Sequence, residues 1–241
     1  RVGQCNEWGG RKDQAITEYE KVMVIEKAYP HHISGAFLGL ANCYRAKKQY
    51  DKSNVMADKA IATEKAHPHH ISKAHLVKGY NFRDTNKYDD AIAEFSKTID
   101  TPKAHKYHIS EAHNSIADIL MRQKKYNEVP KEVKAVMNTP NAHPQHVSSA
   151  TLKLAVVQRY AKKYDESIKT SESVIAMKHT HPYNKEDAQM NIGYCYFYKK
   201  EYVKAMDYFK DVMNAKTAGS WQKQAAKSWI AITQKELDKS K

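Results

Sequence analysis

Apolar positions along the chain fall into short runs at spacing i, i+3, i+4, and the runs come in pairs. Ala15, Ile16, Tyr19, Val22 and Met23 form one such face after Gly9-Gly10, the spacing of a helix buried along one side. Further on, Ala74, Lys78, Gly79 and Phe82 mark a first helix, residues 84–87 a turn, and Tyr88, Ala91, Ile92, Phe95, Thr98 and Ile99 a second helix. The pattern predicts two helices of about 12 to 16 residues per unit, joined by linkers of a few residues.

The pairing is periodic. Tyr29-Pro30-His31-His32-Ile33-Ser34 returns 38 residues later as His67-Pro68-His69-His70-Ile71-Ser72, and again from His105, His143 and, more diverged, His181. A fixed period of this size marks a repeat array, whose units bury their apolar faces only by stacking on neighbours. One column is small in every unit (Ala41, Gly79, Ala117, Ala155, Gly193, Ala231), and the turn into each second helix ends on an aromatic (Tyr50, Tyr88, Tyr126, Tyr164, Tyr202). The expected organisation is a single array over 1–241: a half repeat at 1–28, full repeats at 29–66, 67–104, 105–142, 143–180 and 181–218, and a capping helix at 219–241.

These columns resemble the tetratricopeptide repeat, W-x2-L-G-x2-Y followed by A-x3-F and then P. Leu154, Gly193, Tyr44, Tyr196, Ala91, Ala205, Phe95 and Phe209 sit at its positions, and Pro102 and Pro140 fall close to its Pro. The resemblance covers nearly the whole chain and implies an all-α, right-handed superhelical solenoid of antiparallel helix pairs. Two departures stand out. The period exceeds the family's 34 by four residues, about one helical turn, assigned here to the His-rich linker. The Trp column holds Phe37, His75, His113, Thr151 and Gln189, and Lys78 replaces a Leu, which predicts looser packing at that end.

Composition narrows the partners. Net charge is +13 with 13 His counted neutral, which favours acidic proteins, nucleic acid or anionic surfaces. No apolar run reaches 18 residues, so no membrane-spanning helix is expected. The chain opens without Met, inside a repeat, and reads as a soluble fragment with one uncapped face that admits end-to-end self-association. Cys5, Cys43 and Cys195 share one column without CxxC spacing, so reduced, packed thiols compatible with the cytoplasm are expected; the compartment itself is unknown.

The resemblance also implies a binding groove lined by the first helices. Carried over by column, it presents Leu38, Asn42 and Arg45; Leu76, Tyr80 and Arg83; Asn114, Asp118 and Met121; Leu152, Val156 and Arg159; Met190, Tyr194 and Phe197, with Arg122 and Tyr198 at its edge. Arg and Tyr dominate interaction hot spots, and guanidinium groups favour carboxylates. The expected partner is a protein peptide or helix with acidic character, its apolar side chains against Leu76, Leu152 and Met190. The family's chaperone clamp is not expected, because Leu38 occupies its Lys position and only Asn42 matches.

Ten of the 13 His fall in the predicted linkers. The expected role is structural: His-Pro starts the first helix and the fourth motif position (His32, His70, His108, His146, Asn184) caps it. A pH-responsive edge is a second reading. Metal binding is disfavoured, because His of neighbouring units are expected roughly 10 Å or more apart by helix-packing distances. On the opposite edge Lys47, Lys48, Lys87, Lys124, Lys125, Lys162, Lys163, Lys199 and Lys200 form a positive rim, with no aromatics interleaved in a manner that suggests base stacking. No catalytic constellation and no cofactor or metal motif is found. The sequence therefore predicts a non-enzymatic interaction scaffold; the alternatives are a polyanion binder working through its Lys and His rims, or a repeat segment of a larger multidomain protein.

Overall fold

The computed structural model describes residues 11–23 and 28–239; Cys5 and Gly9-Gly10 lie outside them. The described residues form twelve helices and no strand: α1 Lys12–Met23, α2 Pro30–Ala46, α3 Tyr50–Ala62, α4 Pro68–Asp84, α5 Tyr88–Asp100, α6 Lys106–Arg122, α7 Val129–Asn138, α8 Pro144–Tyr160, α9 Tyr164–Ala176, α10 Pro182–Tyr198, α11 Tyr202–Asn214 and α12 Ser220–Lys239. The architecture is an all-α solenoid of helix pairs. First helices have 17 residues and most second helices 13. With a three-residue turn such as 47–49 and a five-residue linker such as 63–67, these lengths account for the period of 38.

The chain divides into two compact units, Arg1–Ile119 and Leu120–Lys241, the division falling inside α6. In the first, α2 packs on α1, α3 and α4, and α4 on α3 and α5. In the second, α8, α10 and α12 touch in succession, with α9 and α11 packed beside them.

The histidine motif is helical rather than linker, because its Pro stands at the first helical position of α4, α8 and α10, where a missing N–H costs nothing. The cap is the His before that Pro. His67 Nδ1 accepts the His69 N–H at 3.1 Å, His105 that of Tyr107 at 3.2 Å, His143 that of Gln145 at 3.3 Å and His181 that of Tyr183 at 3.2 Å. Capping thus belongs to the first motif position, which corrects its assignment to the fourth. First helices stop where Lys48, Asn86, Lys124, Lys162 and Lys200 take φ of 58–65°, the left-handed conformation that closes a helix and that glycine adopts at least cost.

Packing explains the small column. A Cβ on Gly79 would lie 2.5 Å from the Phe95 ring, and one on Gly193 would lie 2.6 Å from the Phe209 ring. Where the column carries Ala41, the position matching Phe95 carries Ala57, and both belong to one buried cluster. Ring and gap vary together, which preserves density across repeats.

The polar residues in expected apolar columns are answered by a buried carboxylate. Glu94, 5% exposed, has His75 Nδ1 at 2.7 Å, Lys97 Nζ at 2.8 Å and Lys78 Nζ at 3.2 Å, while Lys78 also reaches Asp58 at 2.7 Å. Burial alone raises the Glu94 pKa, but hydrogen bonds from His75 and Lys97 and the charge of Lys78 outweigh it and hold the value at about 2. The expected loose packing is therefore replaced, in this repeat, by an ionic cluster.

The last helix docks as a cap. Trp229 and Ile230 pack on the cluster of Met190, Phe209 and Val212. Gln222, fully buried, donates to Tyr183 O at 3.1 Å and to Asp187 Oδ1 at 2.7 Å. Its outer face is less polar than its Lys pattern predicts, since Trp221 is 62% and Ile232 44% exposed. Cys43 and Cys195 are buried, and neither is in a disulfide among the described residues. No described helix is long and apolar enough to cross a membrane.

Candidate interaction surface

The predicted groove residues divide by depth. Leu38, Leu76 and Met190 are 4–5% exposed and belong to the core, so their apolar surface is spent inside the units; Asn114 is also buried. Asn42, Arg45, Tyr80, Arg83, Asp118, Met121, Leu152, Val156, Arg159, Tyr194 and Phe197 are half-buried, and Arg122 and Tyr198 are exposed.

In the first unit the arginines are already engaged. Arg45 Nη2 donates to Asp84 Oδ2 and Arg83 Nη2 to Asp84 Oδ1, at 2.8 and 3.0 Å. Both guanidinium carbons lie 4.9 Å from the Tyr80 ring centroid, within cation–π range. The Tyr80 hydroxyl donates to Glu111, and burial together with that carboxylate pushes the phenol pKa well up. Tyr80 is a structural hub here.

In the second unit the same columns are built differently. Arg159 stands 4.7 Å from the Tyr160 ring and 4.9 Å from the Tyr194 ring, and its Nε donates to Asn191 Oδ1 at 2.7 Å. Asn191 is buried and donates from Nδ2 to Ser167 and Ser171 at 2.8 and 3.0 Å. Beyond Arg159 lie aromatics: Tyr194 and Phe197 meet Trp229 edge-on at 4.9 and 5.2 Å.

Asp84 and Tyr160 were not among the predicted residues, although the signal was present. They occupy the same column as Arg122 and Tyr198, and extending that column to every unit finds them. Aromatics accompany the Lys turns and stack on one another: Tyr126 on Tyr160 at 4.8 Å and Tyr164 on Tyr198 at 6.1 Å. Several of those Lys are neutralised locally, as Lys199 by Asp165 at 2.6 Å and Glu201 at 3.1 Å.

The fourth-position side chains join successive repeats. His70 Nδ1 lies 2.8 Å from Ser34 Oγ, His108 Nδ1 2.8 Å from Ser72 Oγ, and Asn184 Nδ2 donates to Ser148 Oγ at 2.9 Å. Each rung spans 36 residues. Burial, then the neighbouring His69, His67, His31 and Lys73, lowers His70 to about 4. His108 falls to about 3 through burial, His69, Lys73 and His105, against an opposing pull from Glu111. Histidines of neighbouring repeats come much closer than expected, with His69 4.6 Å from His108 and 5.9 Å from His105 between ring centroids. Among the described residues no group of three His, Cys, Asp or Glu is arranged to hold a metal ion.

Residues 187–215 match the family model of the tetratricopeptide repeat. No curated protein matches the chain. Similar solved structures include BtubC (BKLC) from P. vanneervenii, at 12% identity and a TM-score of 0.67 over 86% of this chain and 88% of that one. PilF of Pseudomonas aeruginosa aligns at 16% identity and a TM-score of 0.58 over 85% and 91%. YrrB, described as a TPR protein with an unusual peptide-binding site, aligns at 14% identity and a TM-score of 0.55 over 80% and 91%. At these identities the likeness is one of fold.

Proposed function

Because the chain is a tetratricopeptide-repeat protein, we propose that it is a non-enzymatic scaffold holding a peptide or helix of a partner protein against its first-helix face. Repeats of this family generally serve as protein-interaction scaffolds, and one structural neighbour carries a peptide-binding site. The observation that carries the reading is the half-buried aromatic and arginine surface of α8 and α10, where Arg159, Tyr194 and Phe197 stand together. Arg and Tyr in partly desolvated positions are the side chains that concentrate binding energy. The unbroken 38-residue register supports one array over 1–241.

The test is affinity capture, comparing the wild type with Tyr80→Ala/Arg83→Glu/Arg159→Glu, each with and without nuclease and added salt. A protein that survives nuclease and is lost with the variant is the expected result. The second reading, a polyanion binder, draws on the Tyr stacks beside the Lys turns. It predicts material retained by the variant and released steeply by salt, and that result would overturn the groove.

A further inference from the structure

The first-helix columns repeat along the chain, but their arginines do not stand in equivalent electrostatic settings. Arg45 and Arg83 share Asp84. Arg159 has no carboxylate within ion-pair reach among the described residues. Among the described residues its hydrogen bond runs from Nε to Asn191 and Nη1 and Nη2 meet no acceptor, and neither is sealed from solvent. The α10 carboxylate Asp187 accepts from Gln222 Nε2 at 2.7 Å.

The guanidinium is also held in place. Asn191 is 2% exposed and anchored to Ser167 and Ser171, so the acceptor that grips Nε is fixed from the core outward. The guanidinium carbon also lies over the rings of Tyr160 and Tyr194, at 4.7 and 4.9 Å from their centroids. A planar fork with Nε engaged and two aromatic rings against it offers its two Nη atoms to one planar anion, the geometry of bidentate carboxylate recognition. Ordering the side chain before binding removes part of the entropy that capture of a ligand otherwise costs.

Resting on the scaffold reading above, we infer that Arg159 is the anchor for a partner carboxylate, with an adjoining apolar or aromatic side chain seated against Tyr194 and Phe197. The occupant is an acidic peptide segment, chosen by charge complementarity: the Arg159 cation, without a carboxylate partner among the described residues, lies beside the aromatic surface of Tyr194 and Phe197. Arg45 and Arg83, their charge paired with Asp84, contribute little to that selection.

The probe is a phage-displayed library of random dodecapeptides, selected on the wild-type chain. The binders should share an Asp or Glu next to an aromatic or aliphatic residue. For a representative binder, Arg159→Gln should weaken Kd at least tenfold, and Arg159→Lys should weaken it less. Arg45→Gln should change it less than twofold. Replacing the peptide's acid by its amide should cost about tenfold against wild type and less than twofold against Arg159→Gln, a loss of coupling that general destabilisation would not produce. Thermal melting of each variant checks folding, and the peptide substitution on intact protein keeps the test valid if Arg159→Gln misfolds. Binders lacking acids, or equal losses for Arg45→Gln and Arg159→Gln, overturn this inference and leave the scaffold reading standing. A library that yields no binder overturns both.

Discussion

The two units use the same columns for opposite purposes. In Arg1–Ile119 charge is answered within the fold: Asp84 takes two arginines, Glu94 takes His75 and two lysines, and the rungs between repeats are imidazoles on serines. In Leu120–Lys241 the rung is an amide, Asn184 on Ser148, and Arg159 keeps an open fork. A repeat fixes where a side chain stands; it does not fix what stands opposite. The first unit should therefore respond to pH and charge removal through its stability, and the second through what it binds.

The largest test of that contrast is Glu94→Ala. Removing one partner of a buried ionic cluster costs about 3 kcal/mol, whereas Thr170→Ala, the same column in the second unit, should change stability by about 0.5 kcal/mol or less, as partly exposed polar positions do. Urea unfolding at pH 7 measures both, and equal effects would erase the distinction.

Next comes acid. Histidines held neutral in the fold, at about 4 for His70 and about 3 for His108, protonate in the unfolded chain near 6.5. Their contribution is complete above that pH and declines as pH falls from 6.5 toward the folded values. At pH 5.5 the loss is about 1 kcal/mol each relative to neutral pH, and less for His70 where solvent reaches the ring. His70→Asn/His108→Asn, which copies the Asn184 rung, should flatten the stability profile between pH 7.5 and 5.5; an unaltered slope would place the dependence elsewhere. Glu94 acts in a lower window, its contribution present above 4.5 and lost toward 2.

Two smaller tests should treat the units alike. Gly79→Ala and Gly193→Ala push a methyl into Phe95 and Phe209, and each should lower stability by about 1–2 kcal/mol after the helical gain of Ala is subtracted. Trimming the ring, as in Gly79→Ala/Phe95→Leu, should recover part of the loss. The smallest effect is a gain: Lys162→Gly relieves a φ of 61° and should add about 0.5–1 kcal/mol. Asn86→Gly should add less, because Asn tolerates that conformation.

Helix pairs, the turns within them and the small column were legible in the sequence because they depend on periodicity, which a single chain displays, whereas the start of each first helix at the Pro of the histidine motif was not. What escaped depended on pairings one repeat away. Arg45 reads as an open cation until Asp84, 39 residues on, is seen beside it. The fourth-position histidines read as caps because their serines lie 36 residues back, and nothing local distinguishes a ring turned along its own helix from one turned to the helix before. Arg159 was singled out by column, but its setting against two tyrosines, with its Nε held by the buried Asn191, emerges only from packing.

The Ser-to-His rungs carry one more consequence. Each joint in the first unit is fastened by the same pair at the same separation, so any serine in the series is compatible with any histidine. Excising residues 67–104 as a block would bring Ser34 to face His108 in the geometry that Ser72 offers it now. A chain fastened this way can be shortened or lengthened by whole units through recombination, while each new junction arrives with its latch already fitted.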